Sequence, residues 1–320
     1  MEERFSLNSI KDLAARWFPR LPPIGTIHYD TTDFFRIGYG DALVLGKKAY
    51  YVRHNAKEGR FGLDDEEKFW VKRSIDLDDG SLKIVKLEFR EKFQAHIGDF
   101  SFDCFRSPKK EARLLNLVSG HANFMHGYSV KDPAGNTVRV IDYIYGKTLH
   151  SHILSLQVGH EDFYHTLFPD IFKNFLECVE AVAFLHEHHE KHGDIRRDHI
   201  IIDRESGRYR WIDFDFNYLH RENIYSYDLF GLGNIFMYIV GMGDVLLNDL
   251  RKKNPSALDS LREDDLNIVF NNRVANLEKI FPYVSPSINR ILMHFSKGAE
   301  VFYDNTSQMV NDLNEAYHGL

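Results

Sequence analysis

His192-Gly193-Asp194-Ile195-Arg196-Arg197-Asp198-His199 leads into the apolar triplet Ile200-Ile201-Ile202, and Trp211-Ile212-Asp213-Phe214-Asp215 follows beyond Glu205-Ser206-Gly207. Residues 200–203 and 209–213 read as two brief strands bracketing that turn. Asp194 and Asp213 therefore fall on loops at the ends of short apolar strands. Such a placement suits one acid held as a base and a second held as a metal ligand, with His199 a candidate imidazole ligand. Acids after strands also cap turns, and for either aspartate alone that is the commoner role.

Working outward, residues 30–145 are mostly strand-like. The stretches 33–39, 42–53, 68–75 and 82–89 are rich in β-branched and aromatic residues and are separated by Gly and Asp turns. Asp78-Asp79-Gly80 marks a hairpin between the third and fourth, and Gly98-Asp99 marks a second hairpin between 93–97 and 100–105. One helix interrupts them. Ser107-Pro108 supplies a cap and a first-turn proline, Leu114, Leu115 and Val118 keep helical spacing, and Gly120 stops it. Glu111 shares the inward face of Leu114 and Leu115, where a charge needs a partner.

After residue 146 helices dominate. Phe172, Phe175, Leu176, Val179, Val182 and Ala183 form one apolar stripe, with Pro169 near the start of the helix. The apolar stretch 229–243 contains Asn234 and four glycines. It falls short of the roughly 18–20 residues that span a bilayer, and is read as a buried helix. A sheet-rich first half and a helical second half predict a two-lobed α+β protein.

The combination resembles the protein-kinase-like superfamily. Its catalytic loop has the form His-Arg/Gly-Asp, with an Asn five residues after the Asp, and its metal loop is Asp-Phe-Gly. Leu185-His186-Glu187 is similar to the end of the helix before that loop, and Asp228-Leu229-Phe230-Gly231-Leu232-Gly233 to the family's buried Asp-x-Trp-Ser-x-Gly helix start. Val140-Ile141-Asp142-Tyr143-Ile144-Tyr145-Gly146 is similar to a kinase fifth strand and hinge. The resemblance covers about residues 55–245 and implies residues 1–40 as an N-terminal extension, 41–145 as a β-rich N-lobe and 146–320 as a helical C-lobe with divergent final helices.

By that resemblance Asp194 orients or deprotonates an acceptor hydroxyl, and Arg196 senses the transferring phosphate. Lys86, held by Glu111, aligns the ATP phosphates. Lys72 is the rival lysine. Asp213, Asp215 and His199 are the metal candidates, for Mg2+ or Mn2+. Gly59, Phe61 and Gly62 would cover the phosphates, while Ile84, Asp142 and Ile144 would meet adenine. Three positions depart from the pattern: His199 stands where the metal-binding Asn belongs, Asp215 where the Gly belongs, and Ile84 where a small residue faces adenine. Lipopolysaccharide core kinases are similar at the first point, and choline-kinase-like enzymes at the second. Only 15 positions separate Asp213 from Asp228, too few for the activation segment of classical protein kinases. The implied activity is phosphoryl transfer from ATP to a hydroxyl of a small molecule, glycan or protein. The alternative is a pseudokinase that binds nucleotide or regulates without transfer.

Composition bounds the rest. The 320 residues carry 40 Lys and Arg against 47 Asp and Glu, a net charge of -7, which argues against a nucleic-acid partner. Two cysteines, Cys104 and Cys178, make no disulfide framework. Residues 1–23 carry Glu2 and Glu3 and no long apolar run, so no secretory signal and a cytoplasmic location are expected, with peripheral membrane association left open. His186, His188, His189 and His192 lack the His-Glu-x-x-His order of zinc enzymes and are read as a helix end.

Overall fold

Alternating apolar residues between glycine turns build the first unit of the chain. The computed structural model describes residues 7–17, 22, 24–58, 66–97, 100–219 and 223–320. Contacts divide it into two units: residues through Glu91 with Arg106–His121 and Met125–Ile144, and Lys92–Phe105 with Ala122–Phe124 and Tyr145–Leu320.

The first unit holds a seven-stranded sheet ordered Ile27–His28, Ala42–Leu45, Lys48–Glu58, Glu66–Asp76, Leu82–Lys86, Thr137–Asp142, Gly127–Lys131. Alternation sends Leu43, Leu45, Tyr50, Val52, Val85, Val138 and Val140 to one core cluster, and Ala42, Val44, Ala49, Tyr51 and Ile75 to another. The Pro108–Leu117 helix starts where expected, with the Ser107 hydroxyl accepting the amide of Lys110.

Four strand expectations are corrected, one of them the strand expected over 209–213, which ends at Trp211. Residues 33–39 do not form a strand: Phe34–Arg36 is a 3-10 turn, because its carbonyls are captured by a lysine rather than by a neighbouring strand. The stretch 42–53 breaks into Ala42–Leu45 and Lys48–Glu58, since Gly46 at φ 64 turns the chain. The strand expected over 82–89 ends at Lys86.

The second unit is helical around Phe168–Glu187 and Ser226–Val240. It also contains two three-stranded sheets. In one, Gly146–Thr148 pairs with Ile200–Asp203, which pairs with Tyr209–Trp211. In the other, Phe216–Leu219, Phe100–Arg106 and Lys92–Ile97 lie side by side, so the second predicted hairpin is grouped mainly with the helical unit. Its inner face packs Phe102, Cys104 and Tyr218 on Tyr227 and Phe230. Among the described residues no helix is long and apolar enough to cross a membrane. The chain is thus α+β, a β-rich first unit followed by a helical second one, as in the two-lobed kinase-like fold.

Candidate active site

In the first unit the decisive group is a buried three-charge cluster. Lys86 ends its strand with its Nζ 2.6 Å from Glu111 Oε1, while Arg139 Nε donates to Glu111 Oε2 at 3.0 Å. Strand register explains the meeting, because Lys86 lies opposite Arg139. Arg139 Nη1 also donates to the carbonyls of Leu87 and Thr137. Glu111 and Arg139 are fully buried and Lys86 is 4% exposed. Sequence reasoning missed Arg139. Its signal was a lone charge inside Thr137-Val138-Arg139-Val140-Ile141, where burial demands a counter-charge.

Lys72, the rival, is fully buried. Its ammonium donates to the carbonyls of Phe34 at 3.1 Å and Ile37 at 2.5 Å and to Asn55 Oδ1 at 2.8 Å, and burial pushes its pKa down to about 8. It clips the Phe34–Arg36 turn onto the sheet. Ile84 shares the strand face of Lys86. The Asp142 amide donates to the His126 carbonyl and its carboxylate takes Lys83 at 2.6 Å, so both groups are engaged within the unit. Ile144 ends this unit. Gly59, Phe61 and Gly62 lie outside the described residues.

In the second unit the catalytic-loop candidate is anchored from below. Asp228, fully buried near the start of the Ser226–Val240 helix, accepts the amides of His192 and Gly193, each at 2.8 Å. His186 Nε2 lies 3.1 Å from the same carboxylate. Gly193 sits at φ 83, a left-handed backbone suited to glycine. Gly231 presses on the loop from the helix: a Cβ there would stand 2.5 Å from Ile195 Cβ. His188, by contrast, is spent on the Phe184 carbonyl.

Around Asp194 the predicted residues converge. His199 Nδ1 donates to the Asp194 carbonyl at 2.9 Å, which leaves the lone pair on Nε2. That nitrogen accepts from Arg196 Nη2 and lies 3.7 Å from Asp213 Oδ2. Arg196 also stands 3.5 Å from Asp194 and 3.3 Å from Asp198. Asp213 adopts φ 62, a costly conformation for a residue other than Gly. Its carboxylate and that of Asp215 approach within 4.8 Å. Two carboxylates suit Mg2+ or Mn2+, and an imidazole added to them would favour Mn2+ over Mg2+. Burial raises the pKa of Asp194, opposed by His199 and Arg196 and reinforced by Asp213 and Asp215. A carboxyl kept basic beside a cation site is chemically equipped to accept a hydroxyl proton. Tyr218, Tyr225 and Tyr227 are packing residues: Tyr218 and Tyr227 join the aromatic core, and Tyr225 donates to the His186 carbonyl.

No family model matches the chain. Over 179 residues it is 25% identical to a putative ribosomal protein S6 kinase alpha-2 of Caenorhabditis elegans, a match covering 54% of this chain and 20% of that relative. The aligned region spans about a fifth of the relative's length. This similarity supports a kinase-like superfamily relationship.

Proposed function

We propose that the protein is a phosphotransferase that uses ATP and Mg2+ or Mn2+ to phosphorylate a hydroxyl group. The observation that carries the reading is Asp194, with its basicity raised by burial, sharing His199 with Asp213. In this reading Asp194 receives the hydroxyl proton and Arg196 meets the transferring phosphoryl group. Asp213 and Asp215, with His199, hold the cation, which when bound neutralises phosphate charge. Lys86 aligns the α- and β-phosphates, its position fixed by Glu111. Catalysis then comes mainly from positioning and charge neutralisation. The short interval from Asp213 to Asp228 favours a small molecule or glycan over a peptide acceptor.

The test is incubation with labelled ATP and either cation, comparing wild type with Asp194→Ala and Asp213→Ala. Transfer or hydrolysis that both variants abolish is the expected result. Absence of both reactions with every acceptor pool, the protein itself included, sinks the proposal. His199→Asn should also shift preference from Mn2+ toward Mg2+.

One observation favours the second reading, a pseudokinase. Arg196 occupies the His199 lone pair, so ligation by His199 requires that guanidinium to move. A thermal shift by nucleotide that needs no metal supports this alternative, whereas a metal-requiring shift supports the enzyme.

A further inference from the structure

Three residues beyond Asp194 lies a second charge cluster, within the helical unit. Arg197 Nη1 donates to Asp244 Oδ2 at 2.9 Å, and Arg273 Nη2 forms an ion pair with Asp244 Oδ1 at 2.8 Å. Arg197 stacks on the Tyr238 ring, 4.1 Å from its centroid, and the Tyr238 hydroxyl is hydrogen-bonded to His150 Nδ1 at 2.9 Å. Backbone geometry builds the cluster. Met242 at φ 51 and Gly243 at φ 136 turn the chain after the Ser226–Val240 helix to present Asp244. Amides of Leu247 and Val274 then pair that segment with 272–274, which brings Arg273 alongside.

One carboxylate serves two guanidiniums, so the cluster carries an excess positive charge. The Arg273 side chain is only 9% exposed, whereas Arg197 is 29% and Asp244 23% exposed. A cation partly withdrawn from water attracts an oxyanion more strongly than one on the open surface. Arg197 spends one of its five N–H donors on Asp244. Arg197 follows Asp194 by three residues, a backbone reach of at most about 10 Å, which keeps the backbone of the cluster close to that of Asp194.

We propose that Arg197 and Arg273, bridged by Asp244, form an oxyanion subsite, so that the acceptor is a small molecule bearing a phosphate or carboxylate besides its reacting hydroxyl. The assignment to the acceptor rests on the phosphotransferase reading.

The probe is inorganic phosphate, with acetate as the carboxylate arm. Binding is measured by equilibrium dialysis in the Lys86→Ala background, which removes the first unit's candidate phosphate lysine. Arg197→Gln should weaken phosphate binding about tenfold, and Asp244→Asn should tighten it severalfold because the internal competitor is gone. A merely structural ion pair gives no tightening. Should circular dichroism show that Asp244→Asn misfolds, Arg197→Gln alone decides. Stronger competition by acetate than by phosphate assigns the site to carboxylates, and the reverse to phosphates. Phosphate binding that is absent in the millimolar range, or indifferent to the substitutions, overturns the subsite even if ATP is used. Phosphate held through Arg197 in a protein that transfers nothing from ATP overturns the acceptor assignment instead.

Discussion

Removing Glu111 should cost more than removing either of its partners. The cluster is two cations on one anion, with side-chain exposures of 6% for Lys86 and 0% for Glu111 and Arg139. Glu111→Ala leaves two like charges facing each other without a counter-ion. Breaking a buried pair from one side costs about 3–5 kcal/mol, and the first unit should lose stability of that order. Lys86→Met leaves the Glu111–Arg139 pair intact and replaces an ammonium with a similar apolar volume, so its cost should stay under about 1.5 kcal/mol. Arg139→Met should cost more than Lys86→Met, because the Leu87 and Thr137 carbonyls lose their donor in addition to Glu111 losing one of its two cations. Native-state hydrogen exchange on Leu82–Lys86 and Thr137–Asp142 reads the unit's own opening free energy, which a melting curve of a two-unit chain does not. Equal losses from all three substitutions, or a Glu111→Ala loss below about 1 kcal/mol, would refute the desolvation argument. The ordering also has a functional corollary: Lys86→Met should abolish phosphoryl transfer in a protein that remains folded.

Three further outcomes follow from the perturbed groups. Because the folded-state pKa of Asp194 is raised, its contribution is fully present below the unfolded value, about 3.9, and is lost as pH rises through the folded one. Asp194→Asn should accordingly melt higher than wild type at pH 7, with the advantage vanishing in acid. A variant that melts lower at pH 7 would contradict this. Lys72 has the opposite linkage: its folded pKa of about 8 lies below the ordinary lysine value of about 10.4, so wild type should gain stability relative to Lys72→Met as pH rises between them. The same variant, lacking the ammonium that holds the Phe34 and Ile37 carbonyls, should be cut faster by chymotrypsin at Phe35, which is 69% exposed. Unchanged cleavage would mean that the lysine is not the clip.

Much of the fold could be read because local signals agreed with one another. Ser107-Pro108 and the apolar spacing behind it set a helix, and the structure caps it at Ser107. Inward placement of Glu111 followed from the same spacing, whereas its pairing with Lys86 was implied by the resemblance to protein kinases. What failed depended on distant partners. Phe34–Arg36 has the composition of a strand but adopts a 3-10 turn, because Lys72, 35 positions beyond Ile37, supplies the hydrogen bonds that a strand would have sought from a neighbour. Arg139 escaped notice for a related reason, since its partner lies 28 positions away. Arg273 and Asp244 meet only through the irregular pairing of 245–247 with 272–274, which has no periodicity to read.

Asp228 has one consequence for motion. A carboxylate that grips two successive amides of a loop fixes both translation and rotation of that stretch, as two screws fix a bracket where one would let it swivel. His192 and Gly193 must then share the slow, small-amplitude fluctuations of the Ser226–Val240 helix rather than those of a surface segment. Any effector that repositions Asp194 has to tilt a core helix to do so. A cheaper control point is the side chain of Arg196, a third exposed, which can change rotamer while the backbone beneath it stays still.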